Sequence, residues 1–464
     1  MQKLFPQAIP DDILFISNIL NHQGFELKLV GGAVRDALRN QKNIDFDLAT
    51  SASPDQVKAV FKPIKNCFIV PTGLAHGTVT LVLNNKHYEI TTYRLDGFYS
   101  DSRHPDHVKF THSIEEDLSR RDFTINAISA DPITKMIHDP FHGREDIKNK
   151  IIRTVGDPME RFREDALRMI RACRFAATLG FSIEENTFAA IKALSQNITA
   201  VSHERIRDEL LKMLCSDQPS IGLEAMRTSD LLKYILPELL EGYGVEQNEF
   251  HRYDVYTHNC KTCDLIRSDD PITKFAALLH DVGKPRAKNF ALKIGNGNVF
   301  YNHEIIGAKM TDKIMKRLKF SNEQREKAVL LVEMHMFYYT KDWTDGAIRR
   351  FLRRFDGDQA FLRELFFLRE ADRLGSGTKK QSPHIFQEFK KRIDQILEED
   401  AALKISDLHI NGNILIEEFN LQPSPLIGEI LRHLLELVLD DPTLNNKHDL
   451  HEQIRTYLRK TEVQ

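Results

Sequence analysis

Residues 29–36 read Leu-Val-Gly-Gly-Ala-Val-Arg-Asp, and residues 44–48 read Ile-Asp-Phe-Asp-Leu. The first stretch is typical of a buried strand that ends in a glycine turn, Gly31-Gly32, and continues into a helix. Such a turn lets backbone N–H groups approach a phosphate closely, at a helix N-terminus whose dipole favours negative charge. In the second stretch Asp45 and Asp47 are two residues apart, so a strand would present both carboxylates on one face.

Two neighbouring carboxylates repel each other unless a cation lies between them, and their hard oxygen atoms suit Mg²⁺. A phosphate-binding turn followed closely by such a pair is what phosphoryl transfer requires. Each motif is common by itself, and it is their order and closeness that predicts this chemistry. A third carboxylate, Glu89, lies on the strand after Asn84-Asn85 and would complete the metal cluster if that strand neighbours the first. The alternative for Glu89 is a surface position.

The composition indicates a globular, multi-domain chain. At 464 residues it is too long for one ordinary core, and we expect two to four domains. The hydrophobic content of 41% and charged content of 28% are ordinary for a globular protein, and no apolar run is long enough to cross a membrane. Five widely spread cysteines and the absence of a signal-peptide pattern favour the cytoplasm. A net charge of −3 does not exclude nucleic-acid binding, which needs only a local basic face.

The hydrophobic pattern predicts an α+β N-terminal part and a helical remainder. A helix is expected over residues 11–21 and a hairpin turn at Asn84-Asn85, with a polar loop over residues 95–110. From about residue 157 onward the pattern is almost wholly helical. Strands are expected over residues 25–30, 44–49, 78–83 and 87–93. The expected domains are residues 1–140, 141–245, 246–380 and 381–464.

Two basic segments follow the expected sheet. Arg120-Arg121-Asp122 precedes Asn126, a combination that suits phosphate and ribose contacts because guanidinium groups match phosphate bidentately. Further on, a helix would bring Asp165 and Arg168 within one turn, with Arg171 and Arg174 near the same face. An aligned carboxylate and guanidinium match the Watson–Crick edge of a base. The alternative in both segments is a cluster of surface charges.

Five segments together resemble the class II tRNA nucleotidyltransferases of the polymerase-β superfamily. This family includes CCA-adding, A-adding and CC-adding enzymes and bacterial poly(A) polymerases. The resemblance implies an α+β nucleotidyltransferase head with a small mixed sheet and helices, followed by an all-helical neck, body and tail that grip tRNA. It also implies RNA rather than DNA as the polymer. The segments are residues 29–50, 73–94, 115–129, 139–158 and 161–181.

The resemblance assigns roles by position. Mg²⁺ ions would be held by Asp45 and Asp47, and CTP or ATP would be selected by Asp165 and Arg168. The triphosphate would contact Gly31, Gly32, Arg35 and Asp36. Phosphate and ribose would contact Arg120, Asp122 and Asn126. A hinge-like segment between head and neck would include Asp139, Gly143 and Asp146.

The choice among relatives rests on two segments. Residues 71–80 lack the Gly-Arg-Arg-Phe type of segment that bacterial poly(A) polymerases usually carry, which favours the tRNA branch. The loop over residues 95–110 is present, whereas CC-adding relatives are shortened there. The resemblance therefore favours CCA addition to the tRNA 3′ end from CTP and ATP, and leaves A-only addition open.

A second group of metal-ligand residue types occupies the middle of the chain. Its order resembles the HD phosphohydrolase superfamily, with His280-Asp281 and the following Gly283 as the specific part. The resemblance implies a divalent transition metal or a metal pair, and phosphatase or 2′,3′-cyclic phosphodiesterase activity. A purely structural domain is the alternative. The six residues are His258, His280, Asp281, His303, His335 and Asp372.

Two further patterns have simpler readings. Cys260 and Cys263 lack the second cysteine pair that a zinc ribbon needs, so we expect ordinary helix residues. Four arginines at positions 349, 350, 353 and 354 predict either a solvated helix face or a tRNA phosphate contact.

Two other function classes remain as alternatives. One is a metal-dependent phosphohydrolase whose head only senses nucleotide, and the other is a non-catalytic RNA-binding scaffold. The intact pair Asp45 and Asp47 argues against a binding-only head. The near-neutral charge and the two sets of metal ligands argue against a scaffold. The sequence predicts no oligomeric state.

Overall fold

The computed structural model describes residues 5–41, 46–70, 77–96, 108–247, 251–293, 300–378, 384–398 and 404–461. The chain divides into two compact units. The first unit comprises Met1–Tyr243 and Lys313–Asn322, and the second comprises Gly244–Asp312 and Glu323–Gln464.

The first unit contains all the strands of the described residues. They are β1 Leu27–Val30, β2 Asp47–Thr50, β3 Cys67–Val70, β4 Thr78–Leu83, β5 Lys86–Thr92, β6 Arg94–Asp96, β7 Val108–Phe110, β8 Ser129–Ala130, β9 Ile137–His138, β10 Ile151–Ile152 and β11 Ser182–Ile183. The helices that lie wholly in this unit are α1 Asp11–His22, α2 Gly32–Leu38, α3 Pro54–Phe61, α4 Ile114–Ser119, α5 Gly143–Asn149, α6 Pro158–Glu164, α7 Leu167–Leu179, α8 Glu185–Leu194, α9 His203–Leu214, α10 Pro219–Thr228, α11 Leu231–Ile235 and α12 Pro237–Leu240.

Seven strands form one mixed sheet in the order β3-β4-β5-β2-β1-β8-β9. The pair β2 and β5 is parallel, with Leu48 opposite Ile90, and the other neighbours are antiparallel. One face of the sheet packs against α1, α2 and α3 in the main core. Because side chains alternate along a strand, Ala49 belongs to a second, smaller core on the other face, and Asp47 shares that face.

The predicted hairpin turn is confirmed. β4 and β5 pair antiparallel from Thr78 to Leu83, and the turn residues Asn84 and Asn85 have φ values of 52° and 62°. Two left-handed residues make the tight turn that matches the twist of a two-stranded hairpin, and asparagine tolerates this conformation. Only the end of the strand predicted over residues 44–49 lies among the described residues, as β2. Residues 97–107 of the predicted loop lie outside them.

The predicted continuous helix through Asp165 is wrong. α6 ends at Glu164, Asp165 is extended with φ −144° and ψ 103°, and α7 begins at Leu167. The Asp165 carboxylate accepts the backbone N–H of Leu167 at 3.1 Å. An aspartate competes for backbone donors in this way, so it favours a helix start over a helix interior.

The second unit is helical throughout the part that the structure describes, and α16 continues from it into the first unit. Its helices are α13 Val255–Leu265, α14 Pro271–Leu279, α15 Lys284–Lys293, α16 His303–Arg317, α17 Asn322–Met334, α18 Asp345–Arg353, α19 Gln359–Gly375, α20 His384–Glu398, α21 Gly412–Phe419, α22 Pro425–Asp440 and α23 Lys447–Thr461. No described helix in either unit is both long and apolar enough to span a bilayer. The predicted fold class, an α+β head followed by helices, is confirmed.

The arginine cluster on α18 is neither a free surface nor uniformly solvated. Arg349 is buried and donates to the carbonyl of Leu439 at 3.2 Å. Arg350 and Arg353 both pair with Glu436 of α22, at 2.8 and 2.7 Å. These residues therefore join α18 to α22, because the cations of one helix meet the carboxylates of the other.

Candidate functional site

The glycine turn lies directly against Asp47. Gly31 has φ +68° and precedes α2, a conformation that favours glycine. A Cβ atom built on Gly31 would lie 3.0 Å from Oδ2 of Asp47 and 3.2 Å from Nη1 of Arg121. The missing side chain therefore opens the space in which a carboxylate, a guanidinium and the backbone of the turn meet.

A network of hydrogen bonds begins at Arg35, close to this turn. Arg35 on α2 donates to Asn126 at 2.7 Å, and Asn126 donates to Asp122 at 3.0 Å. Arg171 on α7 donates twice to the other carboxylate oxygen of Asp122, Oδ2, at 2.9 and 2.6 Å. Burial alone would raise the pKa of Asp122, but Arg171 and Asn126 lower it to about 2. Three segments that are distant in sequence are thus joined in one network.

Asp36 lies beside this network rather than in the open space. Its two oxygens accept from Nε and Nη2 of Arg35, at 2.9 and 2.8 Å. This bidentate pair sets the direction of the Arg35 guanidinium. The predicted triphosphate contact of Asp36 is thus an indirect one in this arrangement, through Arg35.

The arginine pair after α4 is held by one buried carboxylate, Asp117. Its side chain is 1% exposed and accepts from Nη2 of Arg120 at 2.7 Å and Nη2 of Arg121 at 3.1 Å. It also accepts the backbone N–H of Arg94, the first residue of β6, at 3.3 Å. Burial would raise the pKa of Asp117, but Arg121 and Arg120 outweigh it and lower the pKa. Asp117 therefore remains an anion that orients both arginines.

Asp165 and Arg168 each have other partners. Asp165 accepts from Nη2 of Arg205 on α9 at 2.7 Å. Arg168 donates to Glu164 at 2.6 Å and to the backbone carbonyl of Arg120 at 3.1 Å. The predicted carboxylate and guanidinium are thus close in the chain, and each is held in place by a different neighbour.

The ring of Phe175 on α7 lies close to three of the arginine side chains. The guanidinium carbon of Arg174 lies 4.0 Å from the ring centroid, and those of Arg35 and Arg171 lie 5.2 and 5.6 Å from it. Arg174 also donates to the buried Glu209 of α9 at 2.6 Å. The ring stacks on guanidinium faces while their edges stay available for hydrogen bonds.

One cavity of about 470 Å³ lies among these groups. Seven arginines and three aspartates line it, and four carboxylates outside the lining, those of Asp36, Asp117, Glu164 and Glu209, pair with these arginines. Arg121 Nε and Arg205 Nη1 are buried and make no hydrogen bond within the described residues. A polyanion that offers oxygen acceptors would satisfy these donors. The lining residues are Gly31, Gly32, Arg35, Asp47, Arg120, Arg121, Asp122, Asn126, Asp165, Leu167, Arg168, Arg171, Arg174, Phe175 and Arg205.

The proposed metal ligands are only partly described. Asp45 lies outside the described residues. Glu89 does not line the cavity, but it is exposed on β5 next to Ile90, which pairs with Leu48 of β2. Extending this parallel register by one residue places Glu89 beside Asp47 on the same face of the sheet.

Several charged residues in or beside the cavity are not predicted by the sequence patterns. Asp117 precedes Arg120 by three residues and Arg121 by four, a helical spacing from which these ion pairs could have been predicted. Arg205 and Glu209 lie one helical turn apart on α9, far along the chain from their partners. Nothing local connects them to Asp165 or Arg174, so only folding brings them together.

The hinge-like segment is a tight, hydrogen-bonded turn. Asp139 accepts the backbone N–H groups of Gly143 and Arg144, at 2.8 and 3.0 Å. Asp146 accepts from the hydroxyl of Thr124 at 2.6 Å. These contacts connect α5 to the segment that carries Asn126.

The second unit holds the predicted histidine cluster, and all six residues converge. His258 Nε2 lies 3.3 Å from Asp281 Oδ2 and 3.2 Å from Asp372 Oδ1. His280 Nε2 lies 3.0 Å from His258 Nε2. His303 and His335 direct Nε2 towards the other oxygen of Asp281, at 3.2 and 3.5 Å. Asp281 thus lies between two groups of imidazoles.

A glycine makes this convergence possible. A Cβ on Gly283 would lie 2.2 Å from the carbonyl oxygen of His303 and 2.6 Å from the nitrogen of Gly307. The backbone after His280-Asp281 therefore lies directly against the first turn of α16, which carries His303.

The donor set of this cluster fits a divalent transition metal. The Nδ1 atoms of His280, His303 and His335 face the carbonyls of Ala277, Phe300 and Val332, which leaves Nε2 as the ligand atom of each. Burial lowers the pKa of His335 to about 4, so its ring is neutral. Within this cluster, the buried atoms that have no hydrogen-bond partner among the described residues are His258 Nδ1, Asp281 Oδ1, His303 Nε2 and His335 Nε2.

Two groups near the cluster were not anticipated. The ligand atoms of His251, His258 and Asp281 lie close enough together to hold a metal ion. The rings of His251 and His258 pack edge to face, with their centroids 5.1 Å apart. Lys284 Nζ lies 2.5 Å from Asp281 Oδ2. By contrast, Cys260 and Cys263 are buried helix residues of α13, as expected. Among the described residues, neither cysteine belongs to a group of side chains that could hold a metal ion.

Comparison with known proteins gives consistent results over most of the chain. Family models match as "Poly A polymerase head domain" over residues 27–153, "Probable RNA and SrmB- binding site of polymerase A" over residues 180–242, and tRNA nucleotidyltransferase domain 2 over residues 304–454. The CCA-adding enzyme of Streptococcus sanguinis is 34% identical over 439 residues, 94% of this chain and 93% of that protein. That of Leuconostoc mesenteroides is 32% identical over 441 residues, 95% of this chain and 94% of that protein.

A solved structure gives the same similarity in three dimensions. The Bacillus stearothermophilus CCA-adding enzyme in complex with CTP superposes with a TM-score of 0.71 at 27% identity, over 97% of this chain and 98% of that chain.

Proposed function

This chain belongs to the CCA-adding enzymes and is a tRNA nucleotidyltransferase, and we propose that its arginine-lined cavity binds CTP and then ATP and adds C, C and A to the 3′ end of tRNA. The observation that carries this proposal is the convergence of seven arginines on the cavity that holds the Gly31 turn and Asp47. A nucleoside triphosphate offers many oxygen acceptors to guanidinium groups, and the cavity volume of about 470 Å³ accommodates one.

Catalysis would join the tRNA 3′-oxygen to the α-phosphorus. The bond between that phosphorus and its bridging oxygen breaks, and pyrophosphate leaves. Asp45, Asp47 and Glu89 would hold divalent metal, which we propose is Mg²⁺, because carboxylates are its preferred protein ligands. Bound there, the metal supplies Lewis acidity for the attacking hydroxyl and charge neutralisation for the leaving group.

The arginines would supply the rest of the charge stabilisation. Arg35 and Arg121 flank the glycine turn, where a triphosphate would approach the backbone. Asn126 and Asp122 would contact the ribose and fix Arg35 and Arg171. These groups are already positioned by Asp36, Asp117 and Asp122, so little reorganisation is needed when charge develops.

Base selection would use Asp165 and Arg168. Cytosine and adenine both offer an exocyclic amine donor beside a ring-nitrogen acceptor. A carboxylate can accept from the amine while a guanidinium donates to the ring nitrogen. Arg205 already donates to Asp165 at 2.7 Å and would keep this carboxylate fixed as the base binds.

The test is incorporation of labelled CTP and ATP, separately and together, into tRNAs that end at the discriminator base, at C and at CC. Addition of C, C and then A to the shortest tRNA supports the proposal. Addition of A alone, and only to the CC-ended tRNA, would identify an A-adding enzyme. Repeated A addition would identify a poly(A) polymerase. An Asp45→Ala, Asp47→Ala variant should lose incorporation.

We propose a second activity for the histidine cluster: metal-dependent hydrolysis of phosphate monoesters or 2′,3′-cyclic phosphates. The buried imidazole and carboxylate atoms without partners support it. The proposed metal is a divalent transition ion, because imidazole nitrogens suit such ions. The wild type should hydrolyse these esters with Ni²⁺, Mn²⁺ or Mg²⁺, and His280→Ala should not. Wild-type inactivity with all three ions would leave the cluster a structural one.

A further inference from the structure

The strand β3 forms one edge of the seven-stranded sheet and exposes two apolar side chains. Phe68 is 68% exposed, more than any other large hydrophobic residue of the first unit in the described ranges, and Val70 is 40% exposed. An open edge strand favours unwanted pairing, so charged side chains usually protect such an edge. The apolar side chains of β3 therefore indicate a surface that a binding partner covers.

The strand register places Val70 on the face of the sheet that carries Asp47. Val70 pairs with Thr80 of β4, and Thr80 pairs with Glu89 of β5. Glu89 in turn lies beside Asp47 when the parallel register of β5 and β2 is extended by one residue. Because cross-strand partners point to the same side of a sheet, these four residues form one row on one face.

Burial assigns Phe68 to the same face independently. Cys67 and Ile69, which flank Phe68 along β3, pack against the main core beside α1, α2 and α3. Because side chains alternate along a strand, Phe68 lies on the opposite face, where its cross-strand partner is Val82. Its row therefore runs alongside the row that contains Asp47, two residues further along β3.

Phe68 lies only a few nucleotide lengths from Asp47. Neighbouring strands are about 4.8 Å apart, so the three steps from β2 to β3 span about 14 Å. Two residues along β3 add about 6.8 Å at right angles, which places the Cα atoms of Phe68 and Asp47 about 16 Å apart. Stacked nucleotides rise about 3.4 Å each along one strand, so this span corresponds to about four or five stacked nucleotides.

The arginine-lined cavity leaves this part of the sheet free. Its lining includes Asp47 but no described residue of β3, β4 or β5. In phosphoryl transfer the attacking and leaving oxygens lie roughly in line, on opposite sides of the phosphorus. With the triphosphate among the arginines, as proposed above, the tRNA 3′-oxygen approaches Asp47 from the side of β5, β4 and β3.

The surface around Phe68 suits a base rather than a phosphate. Its neighbours on this face, Val70 and Val82, are apolar and offer no charge to a phosphate oxygen. An exposed aromatic ring gives a base a flat surface to stack on, and such stacking tolerates any base. This tolerance matches a tRNA end whose terminal base changes at each addition.

We infer that Phe68 stacks on one of the 3′-terminal bases of tRNA and thereby holds the strand so that its 3′-oxygen reaches Asp47. This inference rests on the proposed catalytic role of Asp47 and Glu89. It assigns the open face of β3, β4 and β5 to the tRNA end and the arginine-lined cavity to the triphosphate. Phe68 then contributes to binding of the polymer and not to the choice between CTP and ATP.

The first experiment maps this contact without catalysis. A tRNA that carries 5-iodocytidine as the first or the second C of its 3′ end is irradiated at long ultraviolet wavelength with the full-length protein, without CTP or ATP. The iodinated base couples to an aromatic side chain on which it stacks, and mass spectrometry identifies the peptide. We expect coupling at Phe68, and Phe68→Leu should lower the yield at least about tenfold.

Phe15→Leu is the matched control for this experiment. Phe15 is 43% exposed on α1, which packs against the other face of the sheet, so its replacement should leave the yield unchanged. Coupling at other residues, with an unchanged yield in Phe68→Leu, would overturn the inference.

The second experiment measures the effect on nucleotide addition. Phe68→Ser should lower kcat/KM for tRNA about tenfold or more through loss of one stacking contact, with KM for CTP at saturating tRNA unchanged. Phe68→Tyr keeps an aromatic ring and should retain the wild-type value. An unchanged kcat/KM in Phe68→Ser would contradict the inference. A lower molecular mass of Phe68→Ser at sedimentation equilibrium, without coupling of tRNA at Phe68 in the wild type, would assign this side chain to a contact between copies instead.

Failure of the catalytic assignment is distinguishable from failure of this inference. An Asp45→Ala, Asp47→Ala variant that still incorporates nucleotide would contradict the catalytic assignment, and coupling at Phe68 would still decide the stacking contact. Loss of incorporation with coupling retained supports both. Loss of incorporation in that variant, with no coupling at Phe68 in the wild type, refutes the stacking contact alone.

Discussion

Replacing Asp117 by asparagine tests whether one buried carboxylate organises the arginines of the arginine-lined cavity. Asp117 is 1% exposed and accepts from Arg120 at 3.0 and 2.7 Å and from Arg121 at 3.1 Å. Asparagine preserves the shape and one acceptor oxygen, but it places an NH₂ group against a guanidinium and removes the charge. Both arginines would then lose their fixed orientation.

The expected magnitude follows from these contacts. Leaving a buried charge without its partner costs about 3–5 kcal/mol. The Arg120 and Arg121 side chains are 16% and 19% exposed, so water can partly replace the carboxylate. We therefore expect the free energy of unfolding to fall by about 3 kcal/mol. Loss of one charge-assisted phosphate contact in the transition state, about 2 kcal/mol, should lower kcat/KM for CTP about 30-fold.

The assays are CTP incorporation into a tRNA that lacks CCA and urea unfolding of the same protein. Asp12→Asn is the matched control, because Asp12 also accepts from three side chains, Asn84, Lys86 and Tyr88, away from the cavity. It should lower the unfolding free energy by no more than about 1 kcal/mol and leave kcat/KM unchanged. The reasoning is refuted if Asp117→Asn keeps kcat/KM within a factor of about two of the wild type.

Three further predictions concern other parts of the molecule. Because Arg171 and Asn126 lower the pKa of Asp122 to about 2, its ionised form stabilises the fold above about pH 4, and this contribution is lost as the pH falls from 4 to 2. The difference in unfolding free energy between the wild type and Asp122→Asn should therefore shrink over that range. A constant difference would contradict the prediction. Gly283→Ala should lower the free energy of unfolding by about 1–3 kcal/mol and weaken Mn²⁺ binding measured by calorimetry, because its Cβ would lie 2.2 Å from the His303 carbonyl oxygen. Gly428→Ala, with no atom within 4 Å of its Cβ, should be neutral or stabilising. Equal effects of the two changes would be evidence against this packing. Arg350→Gln with Arg353→Gln should lower the free energy of unfolding by about 1–2 kcal/mol, because the pairs with Glu436 are lost. The salt dependence of tRNA binding should stay the same. A flatter dependence of tRNA affinity on salt concentration would favour a tRNA contact by these arginines.

Local chemistry explains what could be predicted before the fold was known. Asn84-Asn85 makes a tight turn by its own backbone preferences, and Gly31 tolerates a positive φ that other residues resist. Both signals act within a few residues, so a sequence shows them directly. Asp165 shows the limit of periodicity, because its side chain takes a backbone donor and breaks a helix that the spacing predicted to continue.

The sequence by itself therefore determined the α+β head, the helical remainder, the glycine turn with its acidic strand, and the order of the histidines and aspartates in the second cluster. Each of these follows from side-chain spacing or from one residue's conformational range. Only the tertiary structure decided the partners of charged groups, such as Arg205 with Asp165, or Asp117 with Arg121 beside the Gly31 turn. It also turned the arginines of α18 towards α22. A charge leaves its sign in the sequence, but the group that neutralises it depends on which chain segments burial brings together.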